Sequence, residues 1–199
     1  SDDLLVLTGD AMDQDAFLRE AKENNGVPLV WVSLVRLILS YFFSDFNLGY
    51  EMSQVLHRSI QPHKGLFTYY LYLYFSGLTS IELARSQRGA QKYRHMKHAQ
   101  KRIKSLKSLV NKGAVNCVHQ IKLLQAEYMS LTRSDDETRR AYEDAIVHAT
   151  KSGFLRDVAI ANERAAIFHK NTGNEVLSST FMTTACERYF EWGAHPKVN

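Results

Sequence analysis

One helical pattern occurs twice toward the end of this chain, and no other feature restricts its fold as much. The first copy runs from Glu127 through Ala141-Tyr142-x-x-Ala145-Ile146-x-x-Ala149 to Gly153. The second runs from Ala165 through Phe181 and Ala185 to Trp192-Gly193-Ala194. Small residues at helical spacing let two helices approach closely, and a glycine just past the second helix of each copy stops it. Recurrence of a two-helix unit at a period of about 40 residues is the sequence signature of a stacked helical array. Such arrays connect and recognise other domains; catalysis is seldom their role.

The rest of the chain fits that reading. Three prolines and ten glycines among 199 residues imply long helices with short joints. Pro28 suits a first helical turn and opens a helix to about Phe43. A first helix is expected before it, from about Asp13 to Glu23. Ser44-Asp45 caps a helix to about Ser59, broken before Pro62. The run Leu66 to Ala84 contains Tyr69-Tyr70-Leu71-Tyr72-Leu73-Tyr74-Phe75, which has strand propensity. A lone strand among helices would leave its edges unpaired, so a helix is expected, with the tyrosines as packing core. Further helices are predicted at about 91–111, 115–131, 135–151, 155–171 and 175–191. Ser134 and Glu137 have capping-box spacing.

The expected fold is all-α: antiparallel helix pairs in a short right-handed TPR-like α-solenoid. One helical-repeat domain spans 1–199, with a looser repeat pattern over 1–64. Two apolar stretches, 27–43 and 65–81, invite comparison with membrane spans. The first carries Arg36, at a cost of about 2.5–3.5 kcal/mol at a bilayer centre. The second holds several hydroxyl side chains, so buried array helices are expected and membrane insertion is not. Cys117 and Cys186, far apart in sequence, support neither a disulfide framework nor a zinc ribbon and point to a reducing, cytoplasmic setting. The acidic start Ser1-Asp2-Asp3 is unlike a signal peptide, and the missing initiator Met suggests a fragment of a larger protein.

Charge is unevenly spread. Residues 83–126 hold eleven Lys and Arg and no Asp or Glu, whereas the rest of the chain is net acidic. On the helix predicted over 91–111, Tyr93, Met96, Ala99, Ile103, Leu106 and Val110 form an apolar stripe. Arg94, Lys97, Lys101 and Lys104 recur opposite it, and Lys92, Arg102 and Lys107 widen the cationic face. Such a face could hold an acidic protein, phosphates or anionic lipid. It could equally be a solvated surface paired with Asp135, Asp136 and Glu137.

Other candidates are weaker. His95 and His98 have metal-sharing spacing, but flanking lysines would repel a cation. Cys117 with His119, or Cys186 with any His, could be a nucleophile and base, though both cysteines fall on apolar faces. Asn162-Glu163, polar in an alanine-rich run, is expected to bond across to an adjacent helix. Trp192 is expected to close the last helix against its neighbour.

Residues 65–198 resemble the helical-repeat region of large hybrid signalling kinases. The resemblance rests on Asn116-x-x-His119, Leu124-x-Ala126-Glu127 and the alanine series from Ala141 to Ala149. It continues through Ala159-x-Ala161-Asn162-Glu163 to Tyr189-x-x-Trp192-Gly193-Ala194-x-x-Lys197-Val198. The chain departs from that pattern at Gly113-Ala114, Cys117 and Ser178-Ser179. In the family, a serine/threonine-kinase-like domain and an AAA/NACHT-type ATPase precede tetratricopeptide-like repeats, and a GAF domain and histidine kinase follow.

The resemblance implies a non-catalytic scaffold within a two-component signal-transduction protein, with protein partners and no cofactor or metal of its own. His119 would be a buried histidine bonded to a neighbouring loop. No glycine-rich phosphate loop and no His-Arg-Asp or Asp-Phe-Gly element is present in the chain. The alternative is a stand-alone basic helical protein binding nucleic acid or an acidic protein or lipid surface.

Overall fold

In a computed structural model, the described residues are 8, 9, 12, 13, 16, 17, 19 and 27–198. Two short strands, β1 (Thr8–Gly9) and β2 (Met12–Asp13), pair antiparallel. Most of the helix expected over 13–23 lies outside the described residues, although Ala16, Phe17 and Arg19 are helical. From Val27 onward the structure is helical, and the chain divides into two compact units at His98/Ala99.

The first unit contains α1 (Val27–Phe42), α2 (Phe46–Ser59) and α3 (Phe67–Ser86), followed by the start of α4 (Gly89–Val110). Asp45 caps α2 by accepting from the Leu48 N–H at 3.0 Å, as its position before the helix predicts. The aromatic run Tyr69–Phe75 is helical, with Tyr69, Tyr72, Tyr74 and Phe75 buried. Nearly every side of α3 is covered, which explains why its sequence lacks a polar face.

Contacts between α2 and α3 define their register. A Cβ built on Gly49 would meet Thr79, Ser53 bonds Ser76 at 2.6 Å, and His57 bonds Tyr72 at 3.2 Å. Each turn forward along α2 meets a turn backward along α3, so the two run antiparallel. Small residues at the first two contacts let the backbones come close. Tyr41 of α1 packs edge-on against Phe75 of α3 at 5.6 Å.

In the second unit, the remainder of α4 is followed by α5 (Val118–Met129), α6 (Asp135–Ser152), α7 (Leu155–Asn171), α8 (Glu175–Trp192) and the short α9 (His195–Val198). These pack in adjacent pairs, α5 with α6 and α7 with α8, and α7 also packs on α6. Lys122 meets Asp144 and Glu127 meets Tyr142, while Glu163 meets Tyr189 and His169 meets Phe181. Both pairs are therefore antiparallel.

Gly153 and Gly193 follow α6 and α8 with φ of 74° and 86°, the left-handed conformation in which an L side chain is strained. The two glycines that close the sequence repeats thus close equivalent helices. At the start of α6, the Glu137 carboxylate accepts from the Ser134 N–H and Oγ, at 3.4 and 2.9 Å. Among the described residues no helix is long and apolar enough to cross a membrane.

Some positions differ from the sequence pattern. Tyr93, placed in the apolar stripe of α4, is 68% exposed, whereas Ala99, Ile103 and Leu106 are buried as expected. Trp192 is 42% exposed, and the residues that α8 buries are Ser178, Ala185 and Tyr189. The helix expected from Val115 begins as a 3-10 turn over Val115–Cys117 and becomes α-helical at Val118.

Candidate functional site

The acid-free segment supplies all of α4 and most of α5. Before the division at His98, Arg94 and Lys97 are exposed and Lys92 is half-buried. His95 and His98 point away from them. His95 is buried edge-on against the Tyr50 ring at 4.8 Å, and His98 Nδ1 lies 2.8 Å from Ser80 Oγ. Burial, with the neighbouring Arg94 charge, holds His95 below the ordinary imidazole pKa. Both histidines thus pack between helices, and among the described residues no group of three His, Cys, Asp or Glu could hold a metal ion.

Past the division, Lys101, Lys104 and Lys107 are exposed. Arg102, expected to widen the cationic face, is buried at 7% exposure. It stands one position from Lys101, about 100° around the helix, which turns it from the lysine row toward the buried side. Among the described residues, Lys101, Lys104 and Lys107 form no ion pair. On α6, all the acidic side chains except the exposed Asp135 are engaged elsewhere. Asp136 and Glu143 hold Arg139, Glu137 holds Ser134, and Asp144 holds Lys122 and His148. The lysine row therefore stays cationic.

Beside this row lies an open groove of about 350 Å³ between α4 and α5. Ile103 and Met129 supply apolar wall, Tyr128 an aromatic ring, Gln100 and Gln125 amides, and Lys104 and Lys107 the charge. Gln100 Nε2 donates to the Tyr128 hydroxyl at 2.6 Å, tying the two helices at one end. The sequence marks the two lysines but not the groove. Gln100, Ile103, Lys104 and Lys107 share one face of α4 by spacing, and Gln125, Tyr128 and Met129 share one face of α5. That the two faces meet is a tertiary fact.

The polar residues of the repeat motifs form a separate, buried set. His119 Nε2 lies 2.6 Å from Asp157 Oδ2, and its ring stacks on Phe154 at 5.6 Å. Its partner is thus the first turn of α7, not a loop, though Phe154 of the preceding turn covers the ring. Burial would raise the Asp157 pKa, but the His119 hydrogen bond and the Arg156 charge outweigh it and hold the carboxyl below its usual value. Glu127 accepts from Arg164 Nε at 2.8 Å, Arg164 Nη2 at 3.0 Å and the Tyr142 hydroxyl at 2.6 Å.

Of the pair Asn162-Glu163, only the second crosses to another helix. Glu163 accepts from Tyr189 at 2.6 Å and meets Lys197 at 2.9 Å. Asn162 bonds back to the Val158 carbonyl of its own helix at 2.8 Å.

The cysteines do not form a nucleophile-and-base pair with these histidines. Cys117 is buried at the mouth of α5 and donates to the Ala114 carbonyl at 3.2 Å. Burial raises its thiol pKa, only partly offset by a backbone hydrogen bond, so the reactive thiolate is disfavoured. His119, the nearest candidate base in sequence, is committed to Asp157. Cys186 is half-buried on α8.

Compared with family models, with curated proteins and with solved structures, the chain matches none.

Proposed function

We propose that this chain is a non-catalytic helical-repeat module that holds other protein segments in a set arrangement. Its parent would be a multidomain signal-transduction kinase, in which the module links an ATPase segment to a sensor and histidine-kinase segment. That context rests on the order and spacing of the sequence motifs in residues 65–198. We read the paired helices as units of a short right-handed TPR-like solenoid.

One observation carries the scaffold reading. His119, Glu127, Tyr142 and Tyr189, the polar landmarks of the motifs, are buried and bonded to other helices. A catalytic constellation needs groups aimed at a space a substrate can enter. These aim at side chains of neighbouring helices, which suits an element that carries orientation through packing. The partners would be neighbouring domains of the same chain or another protein.

The test uses the purified chain. It should be helical, unfold cooperatively and show neither ATPase nor phosphotransfer activity; robust nucleotide turnover would sink the reading. An antibody raised against the chain should detect a native product several times larger than 22.8 kDa. A band near that mass would remove the hybrid-kinase context.

A second reading draws on Lys101, Lys104 and Lys107, exposed and without ion pairs among the described residues. A stand-alone basic protein would use them, with Lys97, on nucleic acid or an acidic surface. Its affinity would fall steeply with salt and with charge reversal at Lys97, Lys101 and Lys104. Binding indifferent to both changes excludes it.

A further inference from the structure

We infer that the groove between α4 and α5 is a docking site for an acidic peptide segment bearing a large apolar side chain. This deepens the interaction-module reading, on which it rests, by assigning a site and a partner chemistry.

Three observations bear on it. First, the groove combines two kinds of wall. Ile103 and Met129 offer apolar surface beside the Tyr128 ring, and Lys104 and Lys107 carry charge at its edge. Its volume, about 350 Å³, lies at the lower end of the range for sites that enclose a ligand group. One large side chain with flanking backbone suits that size. A bare anion would leave the apolar wall unused.

Second, no carboxylate lines the groove. The α4 wall and Gln125 fall within the acid-free segment, and the nearest acid in sequence, Glu127, is buried under Arg164 and Tyr142. Lys101, one turn before Lys104, extends the exposed cationic row. The electrostatic complement is therefore an anionic partner, drawn in by lysines that other residues have not neutralised.

Third, the polar groups on the walls suit a peptide. Gln100 already donates to Tyr128, while the Gln125 amide can both donate to and accept from a backbone unit. Nucleic acid would gain from a cationic track with successive aromatic platforms. Only one aromatic ring lines this groove, and its hydroxyl is tied to Gln100. The observations thus favour peptide over nucleic acid.

The experiment is fluorescence anisotropy on the full chain. The probe is a fluorescein-labelled peptide of Asp and Glu around a central Trp-Leu pair. Competitors are the same peptide with Ser-Ser at the centre, a single-stranded oligothymidylate and phosphatidylserine vesicles. Charge reversal by Lys104→Glu with Lys107→Glu should weaken binding at least about tenfold. Lys151→Glu with Lys170→Glu makes the same change in net charge on other helices and should leave binding near the parent value. All four lysines are exposed, so the folds can be compared by circular dichroism.

Loss of the Trp-Leu pair should weaken the peptide by a similar factor. No peptide binding, equal loss in both double variants, or equal binding of the Ser-Ser peptide would each overturn the proposal. So would preferential binding of the oligonucleotide or the vesicles. The module reading is separately decided by the catalytic assays, since a folded and catalytically silent chain keeps it even if this groove binds nothing.

Discussion

Arg164 grips Glu127 through two parallel hydrogen bonds, Nε to Oε1 at 2.8 Å and Nη2 to Oε2 at 3.0 Å, with both side chains buried. The pair joins α7 to α5, and Tyr142 of α6 adds a third bond to the same carboxylate. Three helices thus share one desolvated acid.

Breaking this cluster from one side takes the bidentate carboxylate away from a buried guanidinium. Glu127→Leu should therefore cost about 3–5 kcal/mol. Removing all three polar partners, with Arg164→Met and Tyr142→Phe added, should recover at least half of the loss, because the guanidinium is no longer buried away from the carboxylate. Urea unfolding midpoints measure both effects. A Glu127→Leu midpoint indistinguishable from the parent would show that the cluster contributes little.

Stability should fall in two stages as pH is lowered. Burial holds His95 and His169 below the ordinary value of 6.5, with the Arg94 charge assisting at His95 and Arg139 outweighing Glu143 at His169. The unfolded chain then takes up protons first. Their stabilisation is complete above 6.5 and declines as pH falls below it, through the folded pKa values. Asp157 is held below 3.8, so its contribution is present above that value and is lost only as pH falls through the lower, folded pKa. His169→Gln should flatten the first stage, measured as unfolding free energy between about pH 7 and 5. An unchanged slope would remove His169 from the account.

Gly49→Ala should destabilise the first unit. A Cβ there would sit 2.7 Å from Ser40 Oγ and 3.1 Å from Thr79 Cγ2, where α1, α2 and α3 converge. Crowding of this kind costs about 1–3 kcal/mol. Ser40→Ala removes the closest atom and should restore part of the loss in the double variant. Simple additivity in thermal melts would contradict the contact, since residues this close should couple.

Tyr189→Phe and Lys197→Met both remove a partner of Glu163, but not equally. The tyrosine is buried and its bond short, so its loss should cost about 0.5–1.5 kcal/mol. Lys197 and Glu163 are part-exposed, and such a pair contributes about 1 kcal/mol or less. Denaturation of the two variants ranks them, and a larger loss from Lys197→Met would reverse the assignment.

Much of the local structure was legible in the residues. Asp45 and the Ser134–Glu137 pair announce helix starts, and Gly153 and Gly193 announce helix ends, because capping acts between residues a turn apart. The run Tyr69–Phe75 reads as helix only when its neighbours are considered, since its own propensity points to strand. The lysine row was equally visible. The groove it borders was not, since three of its seven lining residues, Gln125, Tyr128 and Met129, come from another helix.

What the sequence by itself determined is the series of helices and the places where they stop. Spacing, caps and glycines act over one or two turns, so they survive without knowledge of the fold. Which faces those helices turn to one another was decided by tertiary packing. A stripe at helical spacing says that residues share a side, but it does not name the helix that covers them. Arg102 therefore fell inside and Tyr93 outside, against their residue types. The bonds of His119 to Asp157 and of Glu127 to Arg164 bridge 38 and 37 residues, a span over which no local rule pairs side chains. Only the close approach of α5 and α7 brings those groups within hydrogen-bond distance, where burial makes a polar partner necessary.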